Sequence, residues 1–397
     1  MMQPNSRVEM DDKSFEILKR TMRNVVIPHR ERKLNPSFKM DMPEVVALKL
    51  TNRCNLRCKH CYQWNESGYH HDMDKTEQNM DMDLAVFQRV LEETHHTKSR
   101  LYLWGGEPLF HRDIRGILDL LEKDPRETTI CTNAYLIEKF EDELCRISPH
   151  LELLIAIEGF EKEHDLIRGK GSFDKVMKQI DRLMELRKEG KFQGKISIHT
   201  VINDSMIGQL LPLMKFFEEK GIDLVLLCFP WYISHETSAE MDTFFQENFN
   251  WLHPMDQQHR SSWHAFKYHI KPEHIPALMM DLSAINEHTW KTRIRYQPGL
   301  DFDEIEDFVS GRSMTSRCAS NCLALSTRAD ITPTGNVSAC KFFSEFSVGN
   351  LHDQSLSDIW HSKAYDQIRT TLGKQLSPAC SKCNVLYLHG SSSLTHI

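Results

Sequence analysis

Cys54-Asn55-Leu56-Arg57-Cys58-Lys59-His60-Cys61 sets three thiols in the spacing C-x3-C-x2-C. The stretch directly follows Glu44–Leu50 (EVVALKL), an apolar run that reads as a buried strand. The thiols therefore fall on a loop at a strand's C-terminal end. Three thiolates can hold three irons of a 4Fe–4S cluster and leave the fourth open to a small chelating ligand. The same spacing suits a zinc knuckle with His60 as fourth ligand.

Outward from this loop the chain alternates. Strand candidates are Leu101–Trp104, Thr128–Cys131, Leu151–Ile157, Lys195–Val201 and Asp223–Phe229. Helical spacing of apolar residues fills the gaps at 83–95, 114–122, 136–147, 173–189 and 206–220. With Glu44–Leu50 this predicts parallel β/α units, whose chemistry sits on loops at the strands' C-terminal ends. Residues 1–44 read as an N-terminal arm, with a short helix near 13–22 and Pro28, Pro36 and Pro43 as breakers. Residues 230–317 are rich in aromatics and His, and read as a helical connecting region beside the barrel mouth. Most of its aromatics are expected in the core and some in a substrate pocket.

The 397 residues carry 49 basic and 56 acidic side chains, a net charge of −7. That balance excludes a nucleic-acid footprint or a polybasic membrane patch. No run of 18 apolar residues spans a membrane, and Met1–Asp12 has no secretory pattern. The eleven cysteines are odd in number and clustered, which argues for metal or redox chemistry rather than a disulfide framework.

Five cysteines lie between 318 and 383. Strand-like 324–332 and 337–343 flank the turn Pro333-Thr334-Gly335-Asn336, and 357–372 reads as helix. Cys322, Cys340, Cys380 and Cys383 can fully ligate a second 4Fe–4S cluster or, equally, a ribbon-type zinc. Cys318 could replace or join Cys322. The other three, Cys131, Cys145 and Cys228, read as packed small hydrophobes.

Taken together these motifs resemble the radical S-adenosylmethionine (SAM) superfamily. His60 fills the aromatic place before the last Cys of its signature. Trp104-Gly105-Gly106-Glu107-Pro108 resembles the family's Gly-Gly-Glu-Pro turn, and Gly105 lies 44 residues after Cys61. Thr132-Asn133 resembles its Thr-Asn-Gly. Ile155–Gly159 with His164-Asp165 and Arg168-Gly169 resembles a further SAM-binding stretch, although Ala156 stands where Ser is common and Glu158 where Asp is usual. The resemblance covers roughly residues 45–230. It implies that Cys54, Cys58 and Cys61 hold a 4Fe–4S cluster. It also implies that His60, Gly105, Gly106, Glu107, Pro108, Thr132, Asn133, Glu158 and Arg168 form the SAM site, with Arg168 on the SAM carboxylate.

The C-terminal segment, including Gly349-Asn350-Leu351 and Asp358-Ile359-Trp360, is similar to the SPASM/twitch extension of these enzymes. The implied fold is a partial (β/α)6 TIM-like barrel over 45–229, followed by the 230–317 connection. A small twitch hairpin/helix domain at 318–384, with an auxiliary 4Fe–4S cluster on Cys322, Cys340, Cys380 and Cys383, and a 385–397 tail complete it. The resemblance further implies SAM cleavage to a 5′-deoxyadenosyl radical, a flavodoxin or ferredoxin electron donor, and a cytoplasmic setting. An auxiliary electron acceptor favours oxidation of a small-molecule natural-product intermediate, by dehydrogenation or ring closure. Crosslinking or epimerisation of a ribosomal peptide is the alternative, with a zinc-stabilised binding protein as the non-enzymatic one. Lys341, directly after Cys340, is a candidate base if desolvation or nearby positive charge strips its proton. Cys318 is a candidate hydrogen donor.

Overall fold

The computed structural model describes residues 3–7, 12–255, 260–312 and 321–388. A short pairing of β1 (Asn5–Ser6) with β8 (Thr289–Trp290) stands apart. The main sheet contains β2 (Val45–Thr51), β3 (Arg100–Gly105), β4 (Thr128–Thr132), β5 (Leu151–Ala156), β6 (Lys195–Val201) and β7 (Leu224–Cys228). β9 (Arg293–Gln297), β10 (Arg328–Ile331), β11 (Asn336–Ser338) and β12 (Ser347–Asn350) complete it. Their order is β12-β11-β10-β2-β3-β4-β5-β6-β7-β9. Every pairing from β10 to β9 is parallel.

The strands are parallel because helices cross back between them. Helix Ile114–Lys123 shows the rule: Asp113 accepts from Gly116 N–H as its cap, and Ile114, Ile117, Leu118 and Leu121 form one buried stripe. That stripe and its counterparts cover the strands, so Val46, Leu48, Leu103, Ile130, Leu153 and Ile198 are fully buried. Among the described residues no helix is long and apolar enough to cross a membrane.

Three expectations are corrected. The short helix expected near 13–22 is α1 (Asp12–Leu34), which runs through Pro28. Tertiary contacts override the breaker. Arg20 pairs with Glu44 at 2.7 Å, and buried Arg32 reaches Asn321, Ser326 and the Arg369 carbonyl. The 230–317 region is not only helical: β9 lies in it, with Ile294 and Tyr296 buried between exposed or half-buried arginines. The third concerns the strand expected over 324–332. Residues 324–327 form a helical turn, and β10 then joins the barrel sheet, Arg328 opposite Val45 and Ile331 opposite Leu48. The hairpin turn takes the expected left-handed glycine, with Gly335 at φ 81°.

Candidate functional site

The loops and last residues at the C-terminal ends of β2–β7 and β9 surround one cavity of about 340 Å³. Cys54, Cys58 and Cys61 line one side. Lys341, Asn384 and Val385, neighbours in sequence of Cys340 and Cys383, line another.

The three thiols fit a cluster by their chemistry. Leu56 N–H donates to Cys54 Sγ at 3.4 Å, and the N–H groups of Gln63 and Trp64 point to Cys61. Burial pushes the Cys54 thiol up to about 12 and the Cys58 thiol up to about 11, and raises Cys61 too. Three thiolates cannot coexist in so dry a place without a cation, which an iron cluster supplies. Among the described residues no three ligating side chains converge on a single-ion point. A multi-iron cluster spreads its ligands more widely than one ion does.

Gly105 and Gly106 are glycines because the turn presses on the cysteine loop. A Cβ on Gly106 would lie 2.1 Å from the Arg53 carbonyl oxygen, and one on Gly105 2.5 Å from that of Thr51. Gly106 and Glu107 donate their N–H groups to the carbonyls of Thr51 and Arg53, at 2.8 and 2.9 Å. Glu107 is buried and accepts from Thr132 Oγ1 at 2.7 Å, Asn133 N–H at 2.7 Å and Leu109 N–H at 3.1 Å. Thr132 and Asn133 are thus tied to the same turn. Pro108 opens the following 3-10 turn and does not line the cavity.

Arg168 makes a buried ion pair rather than a surface one. Its Nη2 donates to Glu158 Oε1 at 2.7 Å, and its buried Nε has no partner among the described residues. His60 Nε2 lies 2.9 Å from the same oxygen. Val201 N–H donates to Glu158 Oε2 at 2.7 Å. Burial opposes ionisation of Glu158, but His60 and Arg168 outweigh it and hold the carboxyl well below its usual range. Arg168 and His60 reach the cavity, whereas Glu158 stands behind them.

The C-terminal thiols form a second set. N–H groups of Ala324 and Leu325 point to Cys322, those of Phe342 and Phe343 to Cys340, and those of Val385 and Leu386 to Cys383. Cys380 faces the Ser377 N–H and lies 3.1 Å from its hydroxyl. Burial raises all four thiols; Cys322 further raises Cys380 and Cys383, Cys380 raises Cys383, and Cys383 and Cys380 raise Cys340. Such donor cages suit sulfur that carries charge when ligated. Cys318 lies outside the described residues.

Lys341 is not a solvated side chain. Its ammonium stands among the rings of Tyr102, Trp104, Trp231 and Phe342. Burial, then the charge of Arg328, brings it down to about 8. Two cysteines read as core fillers instead face the cavity. The Cys228 thiol donates to Gln297 Oε1 at 3.1 Å, and Cys131 interacts with the Tyr102 hydroxyl. Cys145 does pack against the core. His199, Trp231 and Gln297 also line the cavity. All three stand in or just after strands, and Trp231 belongs to the aromatic-rich segment expected to supply part of a pocket. Tyr62, next to Cys61, stacks on Phe266 at 4.5 Å, and Trp231 meets Phe342 at 4.2 Å. The aromatic wall thus joins the two cysteine loops.

The parallel α/β sheet carries a three-cysteine loop beside a Gly-Gly-Glu turn and four more caged thiols, an arrangement whose chemistry fits iron–sulfur ligation at both sets. Residues 48–214 match the model of the radical SAM superfamily, and residues 322–384 match that of SPASM, an iron–sulfur cluster-binding domain. The chain belongs to the radical SAM enzymes with a C-terminal SPASM domain. These domains imply a 4Fe–4S cluster with SAM, and further iron–sulfur ligation at the C-terminus. Fe-coproporphyrin III synthase of Methanosarcina barkeri is 22% identical over 376 residues, 90% of this chain and 86% of the relative. The subtilosin biosynthesis protein AlbA of Bacillus subtilis is 23% identical over 90% of this chain and 70% of its own length. The fold is similar to that of Streptococcus suis SuiB bound to S-adenosylmethionine. TM-score is 0.58 and identity 18%, with 95% of this chain and 78% of that one covered.

Proposed function

We propose that the chain oxidises a small molecule held in the shared cavity, by abstraction of a hydrogen atom from carbon. The observation that carries this reading is the cavity itself, bounded by the Cys54/Cys58/Cys61 loop and by the neighbours of the C-terminal thiols. Cys54, Cys58 and Cys61 would hold a cluster that, with SAM, would supply a 5′-deoxyadenosyl radical, and Cys322, Cys340, Cys380 and Cys383 would hold one that could accept an electron. The protein's part is to bind, orient and exclude water.

Glu107 has three donors from its own chain, and a carboxylate offers about four acceptor sites, so capacity remains for the SAM ammonium. Arg168, pinned by Glu158, presents its remaining N–H groups to a carboxylate. His60, Gly105, Gly106, Thr132 and Asn133 fix the shape between them. Aromatic walls at Trp231, Phe266 and Tyr268 keep the reacting carbon dry. Loss of a hydrogen atom to that radical, of an electron to the second cluster and of a proton to solvent would leave the substrate oxidised by two electrons.

A second reading is modification of a peptide. AlbA and SuiB with its precursor peptide SuiA, the latter at TM-score 0.56 and 17% identity, favour it. The test is anaerobic incubation of the reconstituted protein with SAM, dithionite and either metabolite or peptide fractions. Formation of 5′-deoxyadenosine with a metabolite product lacking a pair of hydrogens supports the proposal. Turnover confined to the peptide fraction moves the reading to peptide modification. A product of unchanged composition carrying solvent deuterium at carbon marks epimerisation and overturns oxidation.

A further inference from the structure

The cavity's charged side chains are almost all committed to the protein itself. Arg168 is held by Glu158, and Arg328 makes two bonds to Asp330, at 2.8 and 2.9 Å. Lys267 donates to the Ile233 and Ser234 carbonyls and the Ser238 hydroxyl. Glu107 already accepts from three donors of its own chain, and its remaining capacity is assigned to the SAM ammonium. Lys341 differs. Its Nζ lies 4.9 Å from the ring centre of Tyr102, 5.3 Å from Phe342, 5.5 Å from Trp231 and 6.0 Å from Trp104. Among the described residues it has no oxygen acceptor. The indole N–H groups of Trp104 and Trp231, whose rings flank it, are buried and lack acceptors as well.

An ammonium held in this ring cage without an acceptor calls for an acceptor-only group. We infer that Lys341 anchors a carboxylate of the substrate, held over the aromatic wall between the two cysteine loops. Geometry favours this over a proton-relay role. A base must pass its proton onward, and the Lys341 ammonium touches π-faces that stabilise a cation and conduct no proton. One uncommitted charge matches a monoanion. A phosphate dianion would keep a charge unpaired in a dry, ring-lined space. Arg328, Asp330, Cys131, Cys383, His199 and Cys228 interact electrostatically with Lys341, and Tyr102 flanks it.

The inference rests on the reading of the cavity as the substrate site, so the experiment scores the two separately. Reconstituted holoprotein is titrated anaerobically, by calorimetry, with 4-phenylbutyrate and with 4-phenylbutanamide, which differ in the carboxylate alone. Wild type is expected to bind the acid at least about tenfold tighter than the amide. Lys341→Met is expected to erase that preference by weakening the acid and sparing the amide. Lys341→Arg is expected to keep it within about threefold. Acid binding no tighter than amide binding in wild type overturns the anchor. So does a preference that survives Lys341→Met, which would leave Lys341 as a neighbour of the auxiliary thiols only. Iron content and melting temperature of each variant separate loss of the anchor from loss of the fold. Wild-type 5′-deoxyadenosine formation, measured on the same samples, tests the enzyme reading independently.

Discussion

Replacing Glu158 by Gln keeps the shape of the side chain and removes one buried charge. The carboxylate is 0% exposed and meets Arg168 at 2.7 Å, Val201 N–H at 2.7 Å and His60 at 2.9 Å. The amide leaves the Arg168 guanidinium, itself 9% exposed, without its anion. Breaking a buried pair from one side costs about 3–5 kcal/mol. We expect that loss in urea unfolding of Glu158→Gln at pH 7. Adding Arg168→Met removes the orphaned cation, so the double variant should recover at least ~2 kcal/mol. The pH dependence follows from the sign of the shift. The folded carboxyl titrates below its unfolded value of about 4.3, so the stabilisation is complete above that value and fades as pH falls through it toward the folded one. The gap between wild type and Glu158→Gln should therefore narrow in acid. A loss within ~1 kcal/mol, or losses that simply add in the double variant, would refute the reasoning.

Three further outcomes are expected. Burial first, then the Arg168 charge, holds His164 at about 4, against about 6.5 unfolded. The native state therefore rejects a proton that the unfolded chain accepts, and stability falls as pH drops from 6.5 toward 4, by up to ~1.4 kcal/mol per pH unit. His164→Asn keeps an acceptor for the Glu158 N–H and should flatten that slope in denaturation curves across this range. Gly106→Ala drives a Cβ to 2.1 Å from the Arg53 carbonyl oxygen, so the cysteine loop must move. It should lower 5′-deoxyadenosine formation on the order of 100-fold, since misplacement by an ångström is that costly. Arg32→Met removes the buried bonds from α1 to Asn321, Ser326 and the Arg369 carbonyl. Unfolding measurements should show a loss of about 2–3 kcal/mol, as for charged buried hydrogen bonds.

Much of this was legible in the sequence because the chemistry is local. C-x3-C-x2-C occupies eight residues, and β2–β7 are apolar runs long enough to stand out. The missed parts depend on distant partners. Arg293–Gln297 alternates over only five residues and becomes a strand by pairing with β7. Arg328–Ile331 is preceded by a helical turn, and nothing local says that it will lie beside Val45–Leu48. α1 passes Pro28 because Arg20 and Arg32 find partners far along the chain. Cys131 and Cys228 face the cavity because their strands end there, and neither carries a motif. The ring cage of Lys341 draws on β3, the Pro230–Trp231 segment and the cysteine loop itself, so no window of sequence contains it.

The central claim is that two separate thiol sets hold two clusters, of which the first cleaves SAM. Anaerobic reconstitution followed by iron and sulfide counts tests it most directly, on wild type, on Cys54/Cys58/Cys61→Ala and on Cys322/Cys340/Cys380/Cys383→Ala. About eight irons are expected in wild type and about four in each variant. With SAM and dithionite, 5′-deoxyadenosine should appear in wild type and be absent from the Cys54/Cys58/Cys61→Ala variant. About four irons in wild type and none in that variant would contradict the second cluster, and with it the electron-acceptor argument for oxidation. No iron in any of the three would contradict the account as a whole.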